Sequence, residues 1–574
     1  MAKEWVISVP AADLSAAVRR WQVPAVVAQL LLNRGLSADQ PAGAFLTPQL
    51  KDLYPPARLS GATEAAAKIV DAIRSKSKIV LYGDYDVDGT TGVAILWHAL
   101  SQAGATVEFY VPHRIEEGYG LNLDAVRRLV QDGARMVISV DCGITAVEEA
   151  EALAQAGVQL IITDHHAPRD PIPRADTIVH PTLDDGYPNP DLSGAGVAFK
   201  LAWAVGLEIA GADRVSPDFR DLLVEMLPLA ALGTIADVVP LSGENRIIAR
   251  HGLEGLVTTP LPGLRALIES AGLRGDKISG YDVGFKLAPR INAAGRMGHA
   301  RLAVELLTRA DQDRAREIAL YLEEHNRSRR ATERQITRQA VEMIERDHLA
   351  GDARRAIVLA SEGWHVGVIG IVAARMVDRF HRPTIMIALA DGQGQGSGRS
   401  IQHFDLSAAL ASCSRYLMSY GGHAMAAGLR IAEDRIQSFT EAFVQIANNR
   451  LTGEDLIPKL HIDAVVALDE LTMPTVEAIV GLGPFGVGNP RPRLASDWVE
   501  LADEPRCVGQ HGQHLQASFR QHGVCVKGIG FGLGALWEDL KQHRRCRVAF
   551  EPIINEFDGR RTVEMQMIDL KFSS

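Results

Sequence analysis

The chain has 574 residues, 47% of them apolar and 23% charged, with a net charge of −10. This is an ordinary globular composition with room for roughly three or four domains, and its acidity argues mildly against a nucleic-acid partner, although charge distribution matters more than the sum. Five cysteines (Cys142, Cys413, Cys507, Cys525, Cys546) without Cys-x-x-Cys spacing argue against a disulfide framework or a zinc knuckle and fit a reducing cytoplasm.

The N-terminus, Met-Ala-Lys-Glu-Trp-Val, lacks a basic flank followed by an apolar core, so no signal peptide is expected. Apolar stretches such as Val366 to Ala374 are too short for a bilayer, which needs ~20 residues, and a soluble protein is expected. Residues 1–60 carry Pro24, Pro41, Pro48, Pro55 and Pro56 and a short helical pattern from Val26 to Leu32; they read as a small leader packed on the next domain.

From about 62 to 180 the pattern alternates. Apolar runs at 78–82, 106–111, 135–140, 158–163 and 177–180 read as buried strands, with helical periodicity between them, as in Ala94, Leu96, Trp97 and Leu100. Alternation of this kind predicts a parallel sheet covered on both faces, with ligands bound outside the carboxyl ends of its strands. Three acidic stations fall at those ends: Asp84, Asp86 and Asp88 after the first run, Asp141 after the third, and Asp164-His165-His166 after the fourth. Alone, Asp-His-His reads as a capping aspartate with two surface histidines. Three stations on one rim reverse that reading.

Next comes an apolar stretch, Leu222 to Ala236, ending at Asp237, which is either a helix-terminal aspartate or a further ligand. Residues 312–347 lack Gly and Pro and suit one long connecting helix. Between Arg314 and Arg338 it holds seven arginines against four glutamates, by default a solvated face and alternatively a basic wall for a polyanion. A second α/β module starts near 355, with apolar runs at 356–360 and 384–389 and glycine-rich turns at 392–398 and 421–423; beyond 456, short alternating segments predict an all-β domain. The expected boundaries are 1–60, 61–250, 251–347, 348–455 and 456–574.

Crowded carboxylates repel one another and need compensating charge. Oxygen ligands with a little imidazole suit Mn2+ or Mg2+ better than zinc. Two such ions can activate a water and stabilise the leaving oxygen at phosphorus. Asp86, Asp88, Asp141, His165 and Asp237 supply the ligand inventory, with Asp84 an additional candidate. Asp164 would orient a histidine, leaving His166 to contact the scissile phosphate as donor or general acid. Gly83 to Gly92 lacks the spacing of a P-loop or a dinucleotide fingerprint. Cys142, beside Asp141 but without an activating partner, reads as a small packing residue. Arg114 follows a strand onto the same rim. Gly396-Ser397-Gly398-Arg399-Ser400 suits a terminal phosphate, and Arg290, Asn292 and Arg296 are candidates to line an approach between the modules.

The Asp-His-His at 164–166 resembles the DHH phosphoesterase superfamily. Together with Gly83 to Gly89, Asp141-Cys142-Gly143, Gly233 to Leu241, Ala288 to Arg296, Gly396 to Ser400 and Gly421 to Gly428, it resembles that superfamily's bacterial single-strand-specific DNA exonucleases over nearly the whole chain. The resemblance implies a DHH domain and a DHH-associated domain joined by a long helix, then an OB-like fold. It also implies Mn2+- or Mg2+-dependent, processive 5′-to-3′ digestion of single-stranded DNA to mononucleotides, in recombination and repair. Residue by residue, it implies metal ligation by Asp86, Asp88, Asp141, His165 and Asp237, with Asp141 bridging, and a scissile-phosphate contact by His166. It implies that Arg114, Ser397 and Arg399 hold the 5′-phosphate beside Gly422 and His423. Single-strand-binding protein and a helicase are implied partners, and a monomer is expected. With aromatics at only 6% of residues, backbone contacts are expected to dominate strand binding. Two rivals remain: a DHH phosphodiesterase acting on short RNA or cyclic dinucleotides, typically a shorter protein, and a non-catalytic binding protein, which should have lost some ligands that this chain keeps.

Overall fold

The computed structural model describes residues 3–113, 117–118, 120–184, 186–273, 277–296, 300–351 and 353–573. The chain forms two compact units, one of residues 7–323 with 462–574 and the other of residues 1–6 with 324–461.

The first unit is built on a five-stranded sheet, parallel throughout. Its strands are β1 (Lys78–Gly83), β2 (Thr106–Tyr110), β3 (Met136–Val140), β4 (Gln159–Thr163) and β5 (Thr177–Val179), in the order β2-β1-β3-β4-β5. These are the apolar runs seen in the sequence; β1, β3 and β4 are almost wholly buried because helices cover both faces. Register then does the positioning. Gly83 pairs with Val140, Val140 with Thr163 and Thr163 with Val179. The next residue of each strand, Asp84, Asp141, Asp164 and His180, therefore emerges at one level.

Helix α1 (Val87–Gln102) starts directly after β1, with Asp86 as its N-cap accepting from the Gly89 N–H at 3.1 Å. Helices α2 (Gly194–Ala210) and α3 (Pro217–Ala236) pack on α1 and on each other, and α4 (Gly243–Leu256) packs on α3. Helix α5 (Ala288–Arg296) leads toward α6 (Gln312–Arg346), the long helix expected, which runs from the first unit into the second.

The C-terminal stretch forms a ring of five strands, Arg545–Phe557, Val499–Leu501, His514–Gln521, Val524–Gly530 and Arg560–Phe572, closed by pairing of the first with the last. A closed five-stranded barrel is the OB-like architecture expected. The leader departs from expectation by packing on two bodies. Leu53 and Leu59 join the core of the parallel-sheet domain, whereas Val26, Val27, Leu30 and Leu31 share a core with Val548 and Phe550 of the barrel. Helix Ala25–Asn33 buries six of its residues, so it needs cover on more than one side.

The second unit has a sheet of β6 (Ile357–Glu362), β7 (Thr384–Ala390), β8 (Gln393–Arg399), β9 (Ser419–Gly422) and β10 (Ala426–Ala432), in the order β9-β10-β8-β7-β6. Only β6 and β7 run parallel, joined through helix α7 (Val366–Phe380).

Candidate metal centre

Around the carboxyl ends of β1, β3 and β4 the side chains converge on His165. Its Nε2 lies 3.1 Å from Asp141 Oδ1, 3.6 Å from Asp237 Oδ2 and 3.8 Å from Asp88 Oδ2. Three sets of potential ligand atoms each fall within 4.8 Å: Asp141 with His165 and His166, Asp88 with His165 and Asp237, and Asp84 with Asp86 and Asp141. Asp141 belongs to two of these sets, and its backbone holds a left-handed φ of 63°, an uncommon conformation that aspartate tolerates better than most residues.

Electrostatics sorts the two histidines. Burial, helped by its histidine neighbour, pushes His165 down to about 4, so it is a neutral imidazole fit to be a ligand. His166 also suffers from burial, yet Asp164 outweighs this and raises it to about 9. Its Nδ1 donates to Asp164 Oδ1 at 2.7 Å. Asp164 is held below the usual carboxylate range: burial opposes this, but His166 and the N–H groups of Ile144 and His166 win. Asp88 and Asp141 are pushed up by burial and by neighbouring carboxylates, and Asp237 rises to about 7 through burial and Asp86. Acids held this close to their protons mark a place that calls for cations.

The donor set fits divalent metals. His165 Nε2 is buried without a hydrogen-bond partner among the described residues, although three carboxylates surround it. Metal coordination would satisfy that nitrogen and relieve the repulsion together. Cys142 is fully buried, with its thiol pushed well up by burial, as suits a packing residue.

Sequence reasoning missed the groups that hold these acids. The N–H groups of Gly194 and Ala195, at the start of α2, donate to the two Asp88 oxygens at 2.6 and 2.9 Å. The helix terminus thus supplies donors and a favourable dipole to a buried carboxylate. Close approach requires glycine here: a Cβ on Gly194 would stand 2.4 Å from Asp141 Oδ1, and one on Gly233 would stand 2.4 Å from Asp88 Oδ1. Ser193, the cap of α2, bonds Thr234 of α3 at 3.0 Å and so ties that helix to the one ending at Asp237. His180 is fully buried. Its Nδ1 accepts from the Thr182 N–H, so its Nε2 donates to the His166 carbonyl at 2.8 Å. The small-residue run Ser193-Gly194-Ala195-Gly196 was the available signal, a cap followed by residues that admit close packing.

Other expected site residues divide. Arg114 lies outside the described residues, as does the Arg296 side chain. Asn292 is half-buried on α5. Arg290 is buried, its guanidinium pairs with Glu323 at 2.7 Å and donates to the Lys286 carbonyl at 2.5 Å, so it braces α5 on α6. Ser397, Arg399, Gly422 and His423 belong to the second unit. There Arg399 Nη1 donates to Ser397 Oγ at 3.2 Å and to the Gly398 carbonyl at 2.8 Å. Burial lowers its pKa, and no described carboxylate pairs with it. A Cβ on Gly370 would stand 2.8 Å from Ser397 Oγ, so α7 lies close against this pair. Gly422 and His423 are exposed.

Residues 78–234 match the DHH family, N-terminal domain; residues 354–449 match the DHHA1 domain and residues 462–569 the RecJ OB domain. The single-stranded-DNA-specific exonuclease RecJ of Bacillus subtilis is 38% identical over 573 residues, 99% of this chain and 71% of that protein. The chain belongs to the RecJ family. The RecJ of Escherichia coli K12 is 34% identical, covering 95% of each chain. Crystal structures of RecJ from Thermus thermophilus superimpose with TM-scores of 0.84 in complex with Mn2+, at 31% identity, and 0.78 with Mg2+, at 30%. Each covers 100% of this chain, which in turn covers 80% and 79% of those structures.

Proposed function

We propose that this protein is a metal-dependent, single-strand-specific DNA exonuclease that works from the 5′ end and releases mononucleotides by phosphodiester hydrolysis, in recombination and repair. The observation that carries this is the meeting of three carboxylates around the neutral His165 imidazole, in a chain of the RecJ family. Two ions, Mn2+ or Mg2+, would be held by Asp86, Asp88, Asp141, His165 and Asp237. Asp141 and His165 each belong to two of the ligand sets, and of these only Asp141 carries two oxygens, which makes it the bridging candidate. Asp84, in one of those sets, either joins the ligands or steadies them. Bound there, the ions supply Lewis acidity for activating water and for neutralising charge on the leaving oxygen.

The chain's own residues do the rest. His166, protonated and oriented by Asp164, donates a hydrogen bond to the scissile phosphate. Ser397 and Arg399 grip the terminal phosphate, a role supported by a half-buried guanidinium lacking a described carboxylate partner. Arg114, Asn292, Arg296, Gly422 and His423 complete the strand contacts in this reading. Family membership supports single-strand-binding protein and a helicase as partners of a monomeric enzyme. Five unpaired cysteines support a cytoplasmic setting. Among the described residues, no helix is long and apolar enough to cross a membrane.

The test is digestion of a 5′-labelled single strand, with and without its terminal phosphate, beside duplex and RNA controls. Labelled mononucleotide released first, only from single-stranded DNA and only with Mn2+ or Mg2+ present, is the expected result. Internal cuts, or cleavage undiminished by chelation, would overturn the reading.

A further inference from the structure

Helix α4 opens with Glu244, Asn245 and Arg246, three consecutive polar residues that are 1%, 0% and 2% exposed. Polar side chains survive such burial only with partners, and each of the three finds them in a different place. Glu244 pairs with Lys200 of α2 at 2.5 Å and accepts from the Tyr54 N–H at 2.6 Å. Arg246 donates to the carbonyls of Phe45 and Gly483, each at 2.9 Å. Those two residues serve the leader, the middle of α2 and the C-terminal domain. Asn245 reaches toward the metal centre instead.

Its Nδ2 donates to the Asp191 carbonyl at 2.6 Å and to the Pro240 carbonyl at 3.0 Å, and its Oδ1 accepts from Asn189 Nδ2 at 3.1 Å. Backbone carbonyls only accept, so the amide can face one way only, with both of its donors in use. Asp191 lies three residues before Gly194, whose N–H holds Asp88 together with that of Ala195. Pro240 lies three residues after Asp237. One buried amide thus joins the chain entering α2 to the chain leaving α3. Ser193 Oγ and Thr234 Oγ1, both fully buried and 3.0 Å apart, join the same two elements a second time.

Backbone strain shows that the segment after Asp237 is held. Val238 has a φ of 65°, which a β-branched residue resists, and at 62% exposure its side chain gains little burial in return. Such strain persists only where the surroundings over-determine the backbone. Helix α3 fixes one side of Val238, and Asn245 fixes the other at Pro240.

We infer that Asn245 is a positioning residue of the metal centre: with Ser193 and Thr234 it forms a two-point tie that sets Asp88, through the amides of α2, against Asp237. This rests on the metal-dependent reading of the centre and deepens it. Ligands governed by separate helices keep a coordination geometry only while those helices keep their spacing, and losing a supporting contact usually costs about 10–100-fold in metal affinity.

The experiment measures Mn2+ binding to the full chain without substrate, from the electron paramagnetic resonance signal of the free ion, beside thermal unfolding of the metal-free protein. Asn245→Ala should weaken Mn2+ binding about 10–100-fold. Thr234→Val keeps the shape without the hydroxyl and should weaken it about tenfold, whereas Thr234→Ser, which keeps the hydroxyl, should bind as wild type does. Arg246→Met should unfold at a lower temperature yet retain wild-type Mn2+ affinity, because its partners lie on the leader and at Gly483. Affinity that falls as far in Arg246→Met as in Asn245→Ala would mean general loosening and would overturn the inference. Wild-type binding by Asn245→Ala would also overturn it; should that variant not fold, wild-type binding by Thr234→Val decides against it. Each of these outcomes leaves the exonuclease reading intact, whereas a wild-type chain that binds no Mn2+ overturns both.

Discussion

His165 and His166 are adjacent, yet one is held neutral and the other protonated because only His166 reaches Asp164. That contact makes Asp164 a positioning residue. Asp164→Asn keeps the side-chain shape but removes the charge that raises His166. Turnover or metal affinity should fall about 10–100-fold, the usual cost of losing such a supporting partner. The alkaline limb of the activity profile should move to lower pH, since the imidazolium would lose its proton sooner. Mn2+ titrations of hydrolysis across a pH series measure both; an unshifted alkaline limb would show that His166 does not act as the proton-bearing donor. The acids themselves were legible in the sequence because each follows an apolar run, and a strand end fixes where the next side chain goes. Arg290 shows what a sequence leaves open: an arginine beside a motif looks the same whether it faces a ligand or a glutamate on another helix. Only the fold brings Glu323 to it.

Elements carry information that residues cannot. Strand and helix alternation sufficed to place the parallel sheet, because fully buried strands leave long apolar runs. The N-terminus of α2 was not legible as part of the site, since its amides meet Asp88 from 106 residues away in the chain. This element makes a sharp prediction. Gly194→Ala would place a methyl group 2.4 Å from Asp141 Oδ1, so either the helix start or the carboxylate must shift. Displacement of about 1 Å at such a centre costs roughly 100-fold in rate. Activity should drop on that scale, with weaker retention of Mn2+ in equilibrium dialysis. Gly43→Ala, whose added Cβ meets nothing within 4 Å, should behave as wild type. Equal activity of the two variants would remove α2 from the account of the site.

At the scale of the whole molecule, chain order and packing disagree. The unit containing the metal centre draws on residues 7–323 and then, after the second unit, on 462–574. No sequence pattern announces this, because periodicity reports which face of a helix is apolar and not what covers it. For helix Ala25–Asn33 the cover is the C-terminal barrel: Leu30 and Leu31, both fully buried, share its core with Phe550 and Leu494. Arg34 strengthens the link through Asn489 and Pro490. The leader should therefore stabilise the end of the chain more than the domain that follows it in sequence. Truncating Leu31 to Ala should cost about 2–5 kcal/mol where the lost contacts lie. Limited proteolysis of the full chain can locate that cost, since cleavage tracks local opening. New cuts in Leu31→Ala should fall within 462–574 before any in 78–234, and the loop at 480–491 should be among the earliest. Cleavage starting within the parallel-sheet domain would mean that the leader serves its sequence neighbour after all.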